Sequence, residues 1–294
     1  MQHKVVRAAS ALVATTQHSA DALRAVAKEA GVRPLVTHIY NGFDADDLYQ
    51  ASGAAPVQFP SQDYFVEAGG DHESYKLSYV GTLWNLTSVE PIVRAVQLLS
   101  QQAPELAARL DLHFAGRRTG PQDELLNQLV GLPCRVIRQP YVAHDEAVRL
   151  MQSSDGLCLL LADLPDAGRV VPGKLFEYMA VRKPIFAVTP PGEAADLLRD
   201  FPLGYVYSPN DVAGLARRLG DEIERKRLGL PLPVGQCDAN QFERRQLTAQ
   251  LAELFDAVTE QSDHELAARA ETTSSSRPSN FDPRTRIVED YSHR

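Results

Sequence analysis

Residues 156–188 of this chain read GLCLLLADLPDAGRVVPGKLFEYMAVRKPIFAV. The stretch begins with a continuous apolar run at 157–161, which is typical of a strand that is covered on both faces of a parallel sheet. A loop then leads into an amphipathic helical pattern at 174–181, and a buried strand follows at 184–188. A strand, a helix and a strand in this order predict a βαβ unit.

The same alternation extends from residue 76 onward. Strands are predicted at 77–80, 110–114, 135–138, 156–161, 184–188 and 205–207. Helices are predicted at 89–101, 121–129, 144–153, 174–181, 193–198 and 211–219, and a last helix at 241–260. Six strands with helices between them predict an α/β fold with a doubly wound, Rossmann-like parallel sheet.

A shorter α/β segment precedes this sheet. It contains an apolar run at 11–16, a helix that Ser19 caps and that ends near Gly31, and a second strand at 35–40. Asn41-Gly42 closes that strand with a strong turn signal. The segment is too short to bury a core by itself, so we expect it to be part of a larger unit.

Composition limits the class of protein. The chain has 294 residues, of which 44% are hydrophobic and 23% charged, as in globular proteins. The formal net charge of −8 argues against a nucleic-acid partner, although a small basic pocket remains compatible with it. The three cysteines are odd in number and widely spaced, which suits a reducing compartment. Without a signal peptide or a membrane-spanning run, we expect a cytoplasmic protein, and docking on a membrane through a partner stays open.

Lys174 is the most informative charged residue of the quoted stretch. A cation in the first turn opposes the positive end of the helix dipole, and a lysine before Glu177 is the weaker order for a helical ion pair. An anion at the helix N-terminus explains Lys174 better, because backbone N–H groups and the ammonium group would both face a phosphate. The loop with Gly173 therefore predicts a phosphate site.

Other strand ends carry further candidates, since ligands bind beyond the carboxyl ends of parallel strands. Gly81 and Thr82 would approach phosphate or sugar, or would form an ordinary strand-to-helix turn. Arg117 would reach a diphosphate, or would belong to a solvated basic turn. Tyr141, with Val142, would pack a nucleobase, or would be core.

Glu177 has two interpretations as well. Its carboxylate would accept hydrogen bonds from both hydroxyls of a ribose, or it would be a surface glutamate paired with Lys174 or Arg182.

The sequence motifs of several common catalytic and binding sites are absent from this chain. There is no G-x-G-x-x-G after the first strand, no P-loop, no histidine spacing for a metal and no G-x-S-x-G elbow. These absences argue against dinucleotide, P-loop, metal and serine-hydrolase sites.

Five segments in this order resemble a known family. They are LSYVGTL at 77–83, FAGR at 114–117, PGKLFEYMA at 172–180, PIFA at 184–187 and LGYVY at 203–207. The chain resembles the donor-binding, C-terminal half of a group 1 (GT4-like) glycosyltransferase of the GT-B fold. The early strands with IYNGFD at 39–44 resemble the end of the N-terminal domain of such an enzyme, and the helix after FER at 242–244 resembles its crossover helix. The resemblance covers about residues 8–260.

This resemblance implies a division of the chain. Residues 1–50 would be a remnant of the acceptor domain, 51–74 a linker, 75–235 the donor-binding domain, 236–265 the crossover helix and 266–294 a disordered tail. It implies sugar transfer from a nucleotide-diphospho-sugar to an acceptor hydroxyl in polysaccharide, glycan or lipid synthesis, without a metal or other cofactor. The nucleobase, sugar, acceptor and stereochemical course are not implied.

The resemblance also assigns roles to residues. Glu177 would bind the ribose, Gly173, Lys174 and Arg117 the diphosphate, and Tyr141 with Val142 would flank the base. Gly81 and Thr82 would line the approach, and Leu175 belongs to the same donor-binding set. No catalytic residue is assigned.

Three departures from the family pattern change what we expect. Arg169 stands where the family often has a sugar-facing glutamate, and Thr82 and Thr87 stand where it often has an arginine and a lysine. Most of the acceptor domain has no counterpart, which predicts a truncated chain, one part of a split enzyme with a partner that supplies the missing half, or a non-catalytic nucleotide-binding remnant. An epimerase or phosphorylase of the same fold is a further alternative.

Overall fold

A computed structural model of the chain describes residues 2–51, 65–66, 74–231 and 239–275. The chain divides into two compact units, residues 1–250 and residues 251–294. Within the described residues, all strands belong to the first unit, whereas the second consists of helical residues 251–275. No helix in these described ranges is long and apolar enough to cross a bilayer.

The first unit begins with a small α/β segment. Its elements are α1 (Gln2–Ala8), β1 (Ala11–Ala14), α2 (Gln17–Glu29), β2 (Leu35–His38) and α3 (Ala45–Ala51). Strands β1 and β2 pair in parallel, as the two predicted apolar runs suggested. The helices α1 and α3 were not predicted.

The N-cap of α2 is Thr16, so the prediction that Ser19 caps this helix is wrong. Thr16 has extended backbone angles, and its hydroxyl oxygen accepts a hydrogen bond from the N–H of Ser19 at 3.1 Å. Ser19 lies inside the first turn of the helix. Both residue types are good caps, and sequence alone does not distinguish a cap from the residue three positions later.

The main sheet has seven strands. They are β3 (Phe65–Val66), β4 (Tyr75–Val80), β5 (Leu110–Ala115), β6 (Arg135–Gln139), β7 (Gly156–Leu160), β8 (Ile185–Val188) and β9 (Gly204–Tyr207). Their order across the sheet is β3-β6-β5-β4-β7-β8-β9. β3 is antiparallel to β6, and the other six strands are parallel, which confirms the predicted doubly wound sheet.

Helices cover both faces of this sheet. They are α4 (Glu90–Gln102), α5 (Pro104–Ala107), α6 (Gly120–Asn127), α7 (His144–Ser153), α8 (Lys174–Val181), α9 (Glu193–Arg199) and α10 (Val212–Arg227). The last helix, α11 (Arg244–Ser275), begins in the first unit and continues into the second. The helices α7 and α8 have the predicted bounds. α10 continues beyond its predicted end at 219, and the short helix α5 was not predicted.

Strand β7 explains why its sequence is apolar without alternation. Cys158 and Leu160 pack into the core beneath α4 and α10, whereas Leu157 and Leu159 pack into the core beneath α7 and α8. All five residues of the strand are buried. A strand with a helical layer on each face must be apolar on both faces, as the sequence predicted.

Two predicted segments fall largely outside the described residues. Of the predicted linker at 51–74, the structure describes Ala51, the strand Phe65–Val66 and Ser74. Of the predicted tail at 266–294, residues 266–275 belong to α11, and residues 276–294 lie outside the described ranges. The proposed domain boundaries stay predictions.

His113 gives the fold a testable acid dependence. It is buried in β5, and neither ring nitrogen has a hydrogen-bond partner among the described residues. Burial, together with the nearby Lys76 and Arg135, lowers its pKa from 6.5 to about 3. The unfolded chain therefore binds one more proton than the fold between these pH values. Stability should fall as the pH drops from 6.5 toward 3, by at most about 1.4 kcal/mol per pH unit.

His113→Met should reduce this loss, because an apolar side chain of similar size takes up no proton. Unfolding midpoints measured from pH 7 to pH 4 would fall less steeply for this variant than for the native chain. His3→Gln, which changes an exposed histidine, is the control. Equal slopes for His113→Met and the native chain would contradict the assignment.

Candidate functional site

The direction of winding reverses between β4 and β7. The chain proceeds outward from β4 to β5 and β6 and then returns to β7, from which it proceeds outward in the other direction to β8 and β9. In open parallel sheets, the crevice beyond the carboxyl ends of the strands at this reversal is where ligands bind. The loops that follow β4 and β7 flank that crevice, and they contain Gly81, Thr82 and the Gly173–Lys174 loop.

The loops after β4 and β5 are joined through two glycines. Gly81 and Gly116 have φ angles of 154° and 133°, and a Cβ atom on Gly116 would lie 2.0 Å from the carbonyl oxygen of Gly81. The N–H of Gly81 donates to Ala115 at 2.9 Å, and that of Leu83 donates to Arg117 at 2.9 Å. The parallel hydrogen bonding therefore continues past the strand ends, and Thr82 is exposed between these bonds.

Tyr178 fixes α8 to the end of β4. Its buried hydroxyl accepts a hydrogen bond from the N–H of Val80 at 3.1 Å. Lys174 precedes Tyr178 by four residues and so lies on the same face of α8, one turn nearer its N-terminus. Lys174 therefore lies at the carboxyl edge of the sheet, one helical turn from the contact between α8 and the end of β4.

Lys174 forms an ion pair with Glu177, with 2.5 Å between Nζ and Oε2. The interpretation of Glu177 as the partner of Lys174 is thus confirmed, and it does not exclude a ribose contact. The two side chains are 30% and 13% exposed, so Glu177 is largely buried and is not the surface glutamate that this interpretation also assumed. A local ion pair exists here although its order along the helix is the weaker one.

The first turn of α8 offers fewer free amides than the sequence suggested. The N–H of Leu175 donates to Pro172 at 3.0 Å, and that of Phe176 donates to Gly173 at 3.3 Å. Leu175 is also fully buried in the core beneath α7 and α8. An anion at this terminus would depend on the ammonium group of Lys174 and on the amides of Gly173 and Lys174.

The two adjacent arginines after β5 differ in their surroundings. Arg118 donates to Asp123 at 2.8 Å, to the carbonyl of Gln139 at 2.7 Å and to the carbonyl of Gly116 at 3.0 Å. Arg117 is exposed, and its guanidinium lies 5.7 Å from the ring centroid of Tyr141, which is 72% exposed. Arg118 therefore holds the loops together, and Arg117 faces solvent.

The predicted residues form two groups. The first group is the ion pair of Lys174 and Glu177, and the second is Arg117 beside the ring of Tyr141. Both groups are linked to the end of β4, the first through the hydrogen bond of Tyr178 and the second through the close approach of Gly116 to Gly81. Val142 is half-buried against the core beneath α7 and α8.

A cavity of 170 Å³ at the same sheet edge is lined by none of the predicted site residues. Within the described ranges, no three His, Cys, Asp or Glu side chains are arranged to hold a metal ion.

Arg169, Thr82 and Thr87, which differ from the family pattern, make local contacts. Arg169 ends a 3₁₀ turn, Ala167–Arg169, and pairs with Asp166 at 2.6 Å. The hydroxyl of Thr87 donates to the carbonyl of Thr82 at 2.6 Å and stabilises the loop after β4. Neither threonine brings a charge to this loop.

Sequence reasoning missed the role of Glu193. This residue begins α9 and is 6% exposed at its side chain. Its carboxylate accepts hydrogen bonds from the backbone of Gln17 and His18 and from the hydroxyl of Tyr40. The only sequence signal is an acidic residue after Gly192 at a helix start, which normally indicates a cap of its own helix.

The family description "Glycosyl transferases group 1" matches residues 74–224, the whole of the six-stranded parallel sheet and most of its helices. The chain belongs to this family. No curated protein matches the chain.

Solved structures with the same GT-B fold include Anabaena HepE in complex with UDP and glucose, with 22% identity and a TM-score of 0.56, covering 86% of this chain and 65% of that one. Trehalose 6-phosphate synthase from Burkholderia multivorans has 14% identity and a TM-score of 0.52, with 93% and 62% covered. The pneumococcal O-GlcNAc transferase GtfA, in complex with UDP and GlcNAc, has 11% identity and a TM-score of 0.56, with 88% and 47% covered. This group 1 glycosyltransferase chain thus spans less than two thirds of each of these chains.

The different surroundings of the two arginines predict different effects on stability. Arg118→Ala should lower the free energy of unfolding by about 2 kcal/mol, because two buried carbonyls lose a charged donor. Arg117→Ala should change it by less than about 0.5 kcal/mol, since the side chain is exposed. Urea unfolding of both variants measures this, and equal losses would contradict the assignment of Arg118 as the residue that holds the loops.

Proposed function

We propose that this chain binds a nucleotide-diphospho-sugar at the carboxyl edge of its sheet and serves in the transfer of the sugar to an acceptor hydroxyl. The observation that carries this proposal is the Lys174–Glu177 pair, which Tyr178 anchors beside the end of β4 at the reversal of winding. Membership of the group 1 family supports the same reaction class.

The charges of the two groups fit the parts of such a donor. Lys174 would turn from Glu177 toward the diphosphate, and Arg117 would meet the diphosphate from the loop after β5. Glu177, released from Lys174, would accept hydrogen bonds from the ribose hydroxyls. Tyr141, which is exposed beside Arg117, would lie against the nucleobase, with Val142 at its side and Gly81 and Thr82 near the sugar.

The same cations would assist the chemical step. As the bond between the sugar C1 and the phosphate oxygen breaks, the acceptor oxygen bonds to C1 and its hydroxyl proton is released. The leaving diphosphate gains negative charge, which Lys174, Arg117 and the N-terminus of α8 would stabilise. We therefore expect these groups to take the place of a metal ion.

UDP is the first donor nucleotide to test, because HepE and GtfA were solved with it. GDP and ADP complete the set. Absence of binding by all three to the native chain would contradict the proposed donor site.

Lys174→Ala should weaken the binding of UDP by about tenfold, the effect of losing one charge-assisted hydrogen bond. Uridine, which has no phosphate, should bind the variant at least as tightly as the native chain, because Glu177 is then no longer paired with Lys174. Titration calorimetry measures both affinities, and Lys28→Ala, at an exposed position of α2, is the control. An equal loss of uridine affinity would place Lys174 on the nucleoside instead of the diphosphate.

Glu177→Ala should have opposite effects on two ligands. UDP should bind more weakly because the ribose loses its acceptor, whereas inorganic pyrophosphate should bind more tightly because Lys174 is no longer paired. The native chain should also prefer UDP to 2′,3′-dideoxy-UDP, and the variant should not. A variant that keeps this preference would exclude Glu177 from the ribose site.

A further inference from the structure

Glu193 joins two parts of the first unit that are distant in sequence. Its Oε1 accepts hydrogen bonds from the N–H of Gln17 at 2.6 Å and from the hydroxyl of Tyr40 at 2.6 Å. Its Oε2 accepts from the N–H of His18 at 2.8 Å. Every one of these donors belongs to the N-terminal α/β segment, whereas Glu193 follows β8 of the main sheet.

The carboxylate is well suited to this position. The N-terminus of α2 has unpaired N–H groups and a partial positive charge, and a carboxylate satisfies both. Burial alone would raise the pKa of Glu193, but the hydrogen bonds from Tyr40, His18 and Gln17 outweigh it and hold the pKa below its usual value. Glu193 is therefore ionised when it holds α2.

The same end of α2 also holds the loop that leads to Lys174. The hydroxyl of Thr16 lies 3.1 Å from the carbonyl oxygen of Arg169, and Nδ1 of His18 lies 3.2 Å from that of Gly168. Gly168 in turn packs against the loop of Glu193, since a Cβ atom on Gly192 would lie 2.4 Å from the Cα atom of Gly168. The end of α2 thus rests on two neighbouring loops at the carboxyl edge of the sheet.

We propose that Glu193 is a positioning residue of the nucleotide site. It anchors α2, α2 holds the carbonyls of Gly168 and Arg169, and these fix the loop that places Gly173 and Lys174. The inference rests on the proposed function for the role of Lys174, but its first steps are contacts within the protein. A merely structural Glu193 would stabilise the whole fold without affecting this loop in particular.

Glu222 provides a matched control. It is also a buried glutamate, it accepts a hydrogen bond from the hydroxyl of Tyr205 at 2.9 Å, and it pairs with Arg225. It lies on α10, which packs on α4. Glu222→Ala should therefore destabilise the fold as Glu193→Ala does, without contact to the loop at residues 162–173.

The test combines hydrogen exchange of residues 162–173 with the affinity for inorganic pyrophosphate, measured on the full chain. Glu193→Ala should speed exchange of this loop by about tenfold and weaken pyrophosphate binding by a similar factor, because the loop opens locally. Glu222→Ala should change neither, although its unfolding midpoint falls. Tyr40→Phe removes one donor and leaves the carboxylate with both amides, so it should fold and show a smaller change of the same sign.

Two outcomes would overturn the proposal. One is loop exchange in Glu193→Ala and Tyr40→Phe that equals that of the native chain. The other is an equal change in Glu222→Ala, which would indicate general destabilisation. If the native chain binds neither pyrophosphate nor UDP, the proposed function fails, whereas the exchange measurement still decides whether Glu193 positions the loop.

Discussion

The hydrogen bond between the Tyr178 hydroxyl and the backbone of Val80 is the contact on which the candidate site depends. It is buried, and it joins α8 to β4 at the place where the winding of the sheet reverses. Because a helix is rigid over one turn, fixing Tyr178 also fixes Lys174 and Glu177 at its N-terminal end. The close approach of Gly81 and Gly116 does the same for the loops that face them. The geometry beyond the strand ends thus depends on two contacts, one between α8 and the end of β4 and one between the loops after β4 and β5.

In the first turn of α8, Lys174 and Glu177 form an ion pair with each other, and the charge of each also suits one part of the proposed ligand. Lys174 is unfavourable at a helix N-terminus, and its pairing with Glu177 offsets part of that cost. A diphosphate would be a better partner for Lys174 than a single carboxylate, since it brings more charge to the same helix end. The displaced Glu177 would then need donors, which the ribose hydroxyls of the proposed ligand would supply. The ion pair and the proposed ligand contacts are therefore alternatives for the same two side chains.

The sequence predicted features that depend on local pattern. The apolar run of β7 indicated a strand with a core on each face, and the periodicity of α7 and α8 gave their bounds. Features that depend on tertiary contacts were missed or assigned wrongly. The cap of α2 is Thr16 and not the predicted Ser19, and both residue types favour that position. The separate environments of Arg117 and Arg118 follow from the Gln139 carbonyl on β6 and the Asp123 carboxylate, and the partners of Glu193 lie between 153 and 176 residues earlier in the chain. The spacing of apolar residues along the sequence gives no information on such long-range contacts.

The arrangement around Glu193 has a thermodynamic consequence for the proposed site. The N-terminal end of α2 donates backbone hydrogen bonds to the carboxylate of Glu193, and its side chains contact two carbonyls of the loop that precedes Lys174. If the position of α2 changes the affinity of Lys174 for a diphosphate by some factor, then binding of the diphosphate must change the equilibrium position of α2 by the same factor. The N-terminal segment that carries α2 would then respond to occupation of the nucleotide site, although none of its residues belongs to the donor-binding set. Coupling of this kind requires that the hydrogen bonds between the loop and the helix end, at Gly168 and Arg169, differ in free energy between the free and the occupied site.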